Sequence, residues 1–423
     1  MTELSKVREQ KFARLLESKN QSLFYRKKLE TYNLNNVSLN DLPSLPLTTK
    51  EDLRLAEPYD LVGVAFSEIA HYHESSGTTG ISSSSWFTLE DLQTAGSQLN
   101  QMGVNLTNED LVLIRFPFAL SCTAFLMQQA CIQVSAGMVP ASSRNTITPY
   151  VKVLELMQKL NVSVFAGLAR ELEYLIETAK MMGLSIQEAF PNLRAACVAG
   201  ELLGHQRKKY LESKLGVPVY GFYGSTETAN IASMCEYGTM HISEEDFIIE
   251  VLNEQTKKPE KTGEKGLLAV TTLSHQGSPL LRYVNEDIIT VKETNCRCGH
   301  SGRQIIVHGR AKERIVNSKG TILEALDIHE AIYRLAKVPL IWQIVESNEY
   351  LTAIVDFGDD SLSVTEIRNM EQHLTELLDL PVIVRMANTG ELINRQLFTE
   401  NTISLKPVYI KPQEKNLEVE LTL

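Results

Sequence analysis

The chain lacks any basic excess. Its 423 residues carry 52 acidic side chains against 41 Lys and Arg, a formal charge of −11, so nucleic acid and anionic membrane surfaces would repel it unless cations were strongly segregated. No block of basic residues supplies that segregation. Long apolar runs are missing too: nowhere do about 18 apolar residues follow one another, as a membrane-spanning helix requires. The opening MTELSKVREQKFARLLESKN is charged throughout and has no apolar core of the secretion-signal kind. A soluble, cytoplasmic protein is therefore expected, with neither nucleic acid nor membrane as partner. Cysteine is scarce, 6 in all, which excludes a disulfide scaffold at this length; clustered thiols in a reducing compartment point to metal or chemistry instead. Modest glycine and proline, 23 and 14, with 43% hydrophobic and 22% charged residues, exclude the fibrous and disordered classes. Neither G-x-x-x-x-G-K-[ST] nor G-x-S-x-G occurs, which leaves a Walker phosphate loop and a Ser-His-Asp hydrolase without support.

What is present suits two domains. Between residues 111 and 223 the apolar runs LVLIRFPF, VSVFAGL, LRAACVAG and VPVYGFYG alternate with helix-like stretches such as 170–183. That alternation predicts α/β architecture with a largely parallel sheet, whose ligands sit beyond the carboxyl ends of strands. After residue 265 shorter strands are expected, with Ser318-Lys319-Gly320 as a hairpin turn. Further on, ALDIHEAIYRLAK sets Ile328, Ile332 and Leu335 on one helical stripe. The segments LIWQIVE, YLTAIVDF, VTEIRNMEQHLTELL and PVIVRM then complete an α+β unit. The expected fold is a large N-terminal lobe of mixed and parallel sheets with helices, residues 1–309, followed by a small mobile α+β C-terminal domain, residues 310–423. No internal repeat is visible.

One hexapeptide, Ser75-Ser76-Gly77-Thr78-Thr79-Gly80, can turn consecutive N–H groups and hydroxyls toward an anion. Taken alone, it fits a flexible turn as well. Its companions are Val219-Tyr220-Gly221-Phe222-Tyr223-Gly224-Ser225-Thr226-Glu227, Leu281-Arg282-Tyr283-Val284-Asn285-Glu286-Asp287 and Val307-His308-Gly309-Arg310. In this combination and order the chain resembles the adenylate-forming superfamily and, within it, the phenylacetate–CoA ligase-like branch. The resemblance runs nearly end to end, through SLFYRKKLE, LPLTTKEDL at 45–53, VAGELL at 198–203 and GRAKERIVNSKG before the last unit.

The resemblance implies an ATP-dependent ligase that makes an acyl- or aryl-adenylate from a carboxylic acid, aryl or amino. The acyl group then passes to a thiol, CoA or the phosphopantetheine of an acyl carrier protein. It gives Ser75 to Gly80 the phosphates, Thr226 the α-phosphate and Glu227 the Mg²⁺ ion. Gly200, Glu201 and Tyr223 are assigned to an adenine slot, with Gly224 also on the nucleotide. Asp287 would accept both ribose hydroxyls, and Arg310 would add a forked donor. Plain alternatives exist for each: Glu227 as a helix-start charge, Tyr223 as core packing, Asp287 as a turn residue, Arg310 as a surface ion-pair partner. The acid pocket is expected near Phe116, Phe118, Ala119 and residues 165–167. Enzymes of this resemblance swing the small domain between two half-reactions, which makes Lys312 the hinge.

The sequence departs from the family in three places. Ile81 and four serines stand where a loop lysine is usual, and Gly221 stands where an Asp often faces the adenine. For the closing catalytic lysine, TISLKPVYI nominates Lys406, whereas aligning Gly390-Glu391-Leu392 would put Glu391 there. A homologue that binds nucleotide or acyl ligand without turnover, and an enzyme that stops at the adenylate in natural-product biosynthesis, are the alternatives. Assembly as a homodimer is left open.

Cys235-x5-His241 and Cys296-x-Cys298 together offer three thiolates and an imidazole, the donor set of a tetrahedral structural Zn²⁺ site, with His300 in reserve. Cys122, Cys131 and Cys197 lie in apolar runs and are expected in the core.

Overall fold

A computed structural model describes residues 3–75, 81–316, 320–347, 349–398 and 408–412. Sequence readings that fall on 76–80, 318–319 and 406 lie outside those described residues. In the larger lobe the apolar runs become the strands Leu111–Ile114, Gly137–Pro140, Val164–Leu168, Ala195–Ala199 and Val219–Ser225, all parallel to one another. They belong to a 12-stranded sheet whose other half is mostly antiparallel, built from Ala229–Met234, Met240–Ile242, Gln304–Arg310, Tyr283–Lys292, Lys265–Thr272 and Phe247–Leu252, with Thr48–Thr49 paired beside Tyr283–Lys292.

Side chains along the parallel strands alternate between two cores, as the two-residue repeat of a strand requires. Val112, Ile114, Val164, Ala166, Ala195 and Cys197 pack beneath the helices Leu89–Leu99 and Thr123–Gln133. Leu113, Phe165, Ala196, Val198 and Val219 face Tyr150–Lys159, Ala169–Met181 and His205–Leu215 on the other side. Helices covering both faces explain why the strands read as unbroken apolar runs.

The sheet changes from parallel to antiparallel at the hairpin joining Val219–Ser225 to Ala229–Met234. Its register shifts between Tyr223 and Gly224. A Cβ at position 224 would lie 1.8 Å from the Ala229 carbonyl oxygen, so no residue but glycine fits this bulge. The turn thereby aims residues 225–228 over the carboxyl end of the sheet.

The second unit is a four-stranded sheet in the order Val382–Met386, Leu351–Asp356, Ile341–Glu346 and Ile410–Lys411. It is packed by the helices Ala325–Tyr333 and Val364–Leu378. Ser363 and Glu366 cap the longer helix reciprocally, at 3.2 and 2.8 Å. Ile328 and Ile332 are buried on one helical stripe as expected, while Leu335 joins the same core from just beyond the helix end. No helix among the described residues is long and apolar enough to cross a membrane. The two units abut: Ile341, Ile393, Leu397 and Phe398 join the core that holds Tyr150 and Tyr174.

Candidate active site

A cleft of about 190 Å³ opens where the parallel strands end, lined by Ser75, Gly200, Gly224, Ser225, Thr226, Glu227, Asp287 and Arg310 among others. Folding therefore brings into one place residues that span more than two hundred positions of chain.

Glu227 is 4% exposed, and a carboxylate that dry must be hydrogen-bonded. The Ser83 hydroxyl donates to its Oε1. Ser83 also reaches Ser75, with its N–H donating to Ser75 Oγ at 2.9 Å and the two hydroxyls 2.9 Å apart. The Ser75 N–H donates to the Ser83 carbonyl at 3.0 Å. The serine run after the hexapeptide thus ties the base of the loop to the acidic turn. On the other side of that turn, the Ser225 N–H donates to Thr228 Oγ1 at 3.0 Å.

Asp287 and Arg310 face one another across paired strands, Nε to Oδ1 at 3.9 Å. Asp287 accepts from the Tyr223 hydroxyl and from Asn285 Nδ2 at 3.0 Å. Burial pushes the Asp287 carboxyl above its usual range despite the opposing pull of Tyr223, Arg310 and Asn285. Burial first, and then Asp287, holds the Tyr223 phenol well above its ordinary value, so it stays a donor.

Of the residues assigned to the adenine slot, Tyr223 packs its ring against the cluster holding Ile231 and Ile242, and its hydroxyl serves Asp287. Glu201 turns away altogether, its side chain 2% exposed against Arg207 at 2.8 Å. Arg207 is fully buried, and a buried guanidinium has to be met by anions. It donates to Glu173 at 3.1 and 3.2 Å and to the Leu202 carbonyl at 3.0 Å. From the second unit, the Tyr333 hydroxyl donates to Glu173 at 2.6 Å, and Arg170 donates to the Tyr409 hydroxyl at 2.7 Å. The acid-pocket expectation is corrected in part as well. Phe165 lies in the sheet core and Phe116 packs on Phe222, while Cys122, Thr123 and Leu126 reach the cleft.

Lys50, Arg54 and Asn230 are among the cleft residues that carry no assignment from the sequence. Lys50 and Arg54 lie one turn apart on the helix Lys50–Leu55, with Thr49 as its cap. The strand Thr48–Thr49 pairs beside Tyr283 and Val284, which carries both cations to the strand of Asp287. Their four-residue spacing in TTKEDLR was the available signal. The third is Asn230, for which the sequence offers none.

Away from the cleft, the donor atoms of Cys235, His241, Cys296 and Cys298 all lie within 4.8 Å of one another. Cys235 Sγ is 3.7 Å from Cys296 Sγ, and Cys298 Sγ is 3.3 Å from His241 Nε2. A tetrahedron with zinc–sulfur bonds of about 2.3 Å has sulfur–sulfur edges of about 3.8 Å. His241 Nδ1 lies 2.8 Å from the Gly302 carbonyl, a bond that leaves Nε2 to the thiols. The Cys298 backbone N–H, and after it the Thr239 hydroxyl, hold the Cys296 thiol down to about 6. His300 stays outside the set, with its ring nitrogens on Gln101 and the Gly302 N–H. Cys122, Cys131 and Cys197 are buried, and desolvation raises each thiol to about 12.

Residues 38–274 match the family described as AMP-binding enzyme. A phenylacetate-coenzyme A ligase of Thermus thermophilus is 27% identical over 415 residues, covering 92% of this chain and 88% of that one. A phenylacetate-coenzyme A ligase of Escherichia coli K12 is 22% identical, covering 84% and 83%. Among solved structures, 2-hydroxyisobutyryl-CoA ligase in a postadenylation state superposes with a TM-score of 0.84 at 17% identity, covering 96% of this chain and 89% of that one.

Proposed function

The chain belongs to the AMP-binding enzyme family, and from that premise we propose how its cleft performs an ATP-dependent acid–CoA ligation through an acyl-adenylate. The carboxylate of the acid must attack the α-phosphorus of ATP, so two anions have to meet against their Coulomb repulsion. The observation that carries the reading is the convergence of Ser75, Thr226, Glu227, Asp287, Arg310, Lys50 and Arg54 on one cleft.

Lys50 and Arg54 supply positive charge that the hexapeptide, without its usual lysine, does not. Asp287 accepts from the ribose hydroxyls, with Arg310 beside it as a donor. Thr226 donates to the α-phosphate, and Ser76 to Gly80 belong to the phosphate cradle by resemblance. Glu227, oriented by Ser83, would hold Mg²⁺, which when bound neutralises phosphate charge. Lys406 takes the electrostatic role at the departing pyrophosphate. The lobe boundary falls at 309/310, with Lys312 as the pivot that re-aims the small domain for thioester formation. The acid is an aryl or small organic acid of the phenylacetate kind.

Acid-dependent exchange of labelled pyrophosphate into ATP tests the reading, and a panel of aryl and aliphatic acids should contain at least one that drives it. Silence across the panel alongside tight ATP binding would leave a nucleotide binder without turnover. Lys406→Ala should depress exchange by about 10²–10³-fold with little effect on ATP affinity; equal exchange by both proteins would defeat that role.

The four-residue Cys/His cluster fits structural Zn²⁺, since closure by four protein ligands leaves no position for a substrate water. It would staple the strands bearing Asp287 and Arg310 to those beside the Glu227 turn. Elemental analysis should find about one zinc per chain, and Cys298→Ser should lose it together with thermal stability. Metal-free protein of unchanged melting temperature would refute the staple.

A further inference from the structure

Two chemically different groups of residues line the cleft. Asp287 lies beside Arg310 and feels the charge of Lys50, while Cys122, Leu126, Phe222 and Ala229 belong to one apolar cluster. A nucleotide needs the charged group, which leaves the apolar one to the organic part of the acid. This assignment rests on the ligase reading above.

Asn230 lines the cleft and is 1% exposed, and its Oδ1 has no hydrogen-bond partner among the described residues. Which end of its amide is unsatisfied follows from the network. The Ser233 hydroxyl donates its single proton to the Gln98 carbonyl at 3.0 Å, so toward Asn230 it can only accept. Asn230 Nδ2 is accordingly the atom 3.1 Å from Ser233 Oγ, and the carbonyl oxygen is the orphan. The same chain of bonds locates the residue. Gln98 belongs to the helix Leu89–Leu99, which packs side by side with Thr123–Gln133, the helix that supplies Thr123 and Leu126 to the lining of the cleft.

A buried carbonyl without a donor is costly, and a ligand that supplies one recovers that cost. We infer that Asn230 Oδ1 selects the acid: the preferred substrates carry a hydroxyl or amino group that donates to it, and parent acids without one are rejected. Sites built to hydrogen-bond a substrate discriminate strongly against the analogue that lacks the group, because the protein atom is then left unpaired. An ordered water would satisfy Oδ1 equally well, and acids with and without the donor would then react alike.

The test is pyrophosphate exchange by the full-length protein with matched acids: hydroxy- and amino-substituted benzoates and short aliphatic acids, each beside its hydrogen- and methyl-substituted parent. Donor-bearing acids are expected to show kcat/KM at least about 100-fold above the methyl analogues. Asn230→Ala is expected to narrow that ratio to below about tenfold. Parent acids as efficient as their donor-bearing partners, or a ratio unchanged in Asn230→Ala, would overturn the inference while leaving the ligase reading intact. Exchange with no acid at all removes both. Should Asn230→Ala not fold, the wild-type ratios decide alone.

Discussion

Glu227→Gln is expected to lower acid-dependent pyrophosphate exchange by about 10²–10³-fold, the scale seen when one electrostatic contact to a charged transition state is removed. Glutamine keeps the volume and the carbonyl that accepts from Ser83, so only the charge is lost. Circular dichroism and melting temperature should therefore stay near wild type, and raising Mg²⁺ should recover part of the activity. The result that would end the assignment is exchange within about threefold of wild type at limiting Mg²⁺. Ser83→Ala offers the complementary measurement. It frees Glu227 and the base of the loop without altering charge, so a smaller loss is expected.

The second large effect concerns stability. Arg207→Met is expected to cost about 3–5 kcal/mol, because removing one member of a buried ion cluster strands the rest. Glu201 would lose its guanidinium partner and Glu173 one of its two, keeping Arg170, in surroundings with almost no water. Chemical denaturation of wild type and variant measures this, and a difference below about 1 kcal/mol would mean that solvent reaches the cluster. A pH dependence accompanies it. Burial pushes the Glu173 carboxyl up, but the charges of Arg170 and Arg207 outweigh burial and hold it below 4.5. A group depressed in the folded state contributes stability that is full above its unfolded pKa and is lost as pH falls through the folded one. The contribution of Glu173 should thus outlast the fall of pH through the ordinary glutamate range. Arg207→Met should begin to lose stability at a higher pH. Because Tyr333 and Tyr409 of the second unit share this cluster, the loss should also loosen the contact between the two units.

The fold was legible where one periodicity dominated. The strands from 111 to 223 read as continuous apolar runs because helices cover both faces, and the segment VTEIRNMEQHLTELL forms the helix Val364–Leu378. Glu227 and Arg310 stood out because the first sits at a hairpin and the second ends a strand, and Asp287 because it lies in a short ordered motif within its strand. Lys50 and Arg54 were in view, but nothing local says that the strand before them pairs with Tyr283 and Val284. Ser83 stood among the four serines that follow Ile81, and its bond to Glu227 spans 144 positions.

The order of residues by itself determined the alternation of strands and helices, the glycine that the hairpin bulge demands, and the four zinc-type donors, since these depend on local geometry and on donor chemistry. Only the tertiary structure decided which carboxylate faces the cleft. Glu201 and Glu227 both follow strands of the same sheet, yet Arg207 claims the first and Ser83 the second. That choice is made by which buried charge lies nearest, and nearness in space is not written in spacing along the chain.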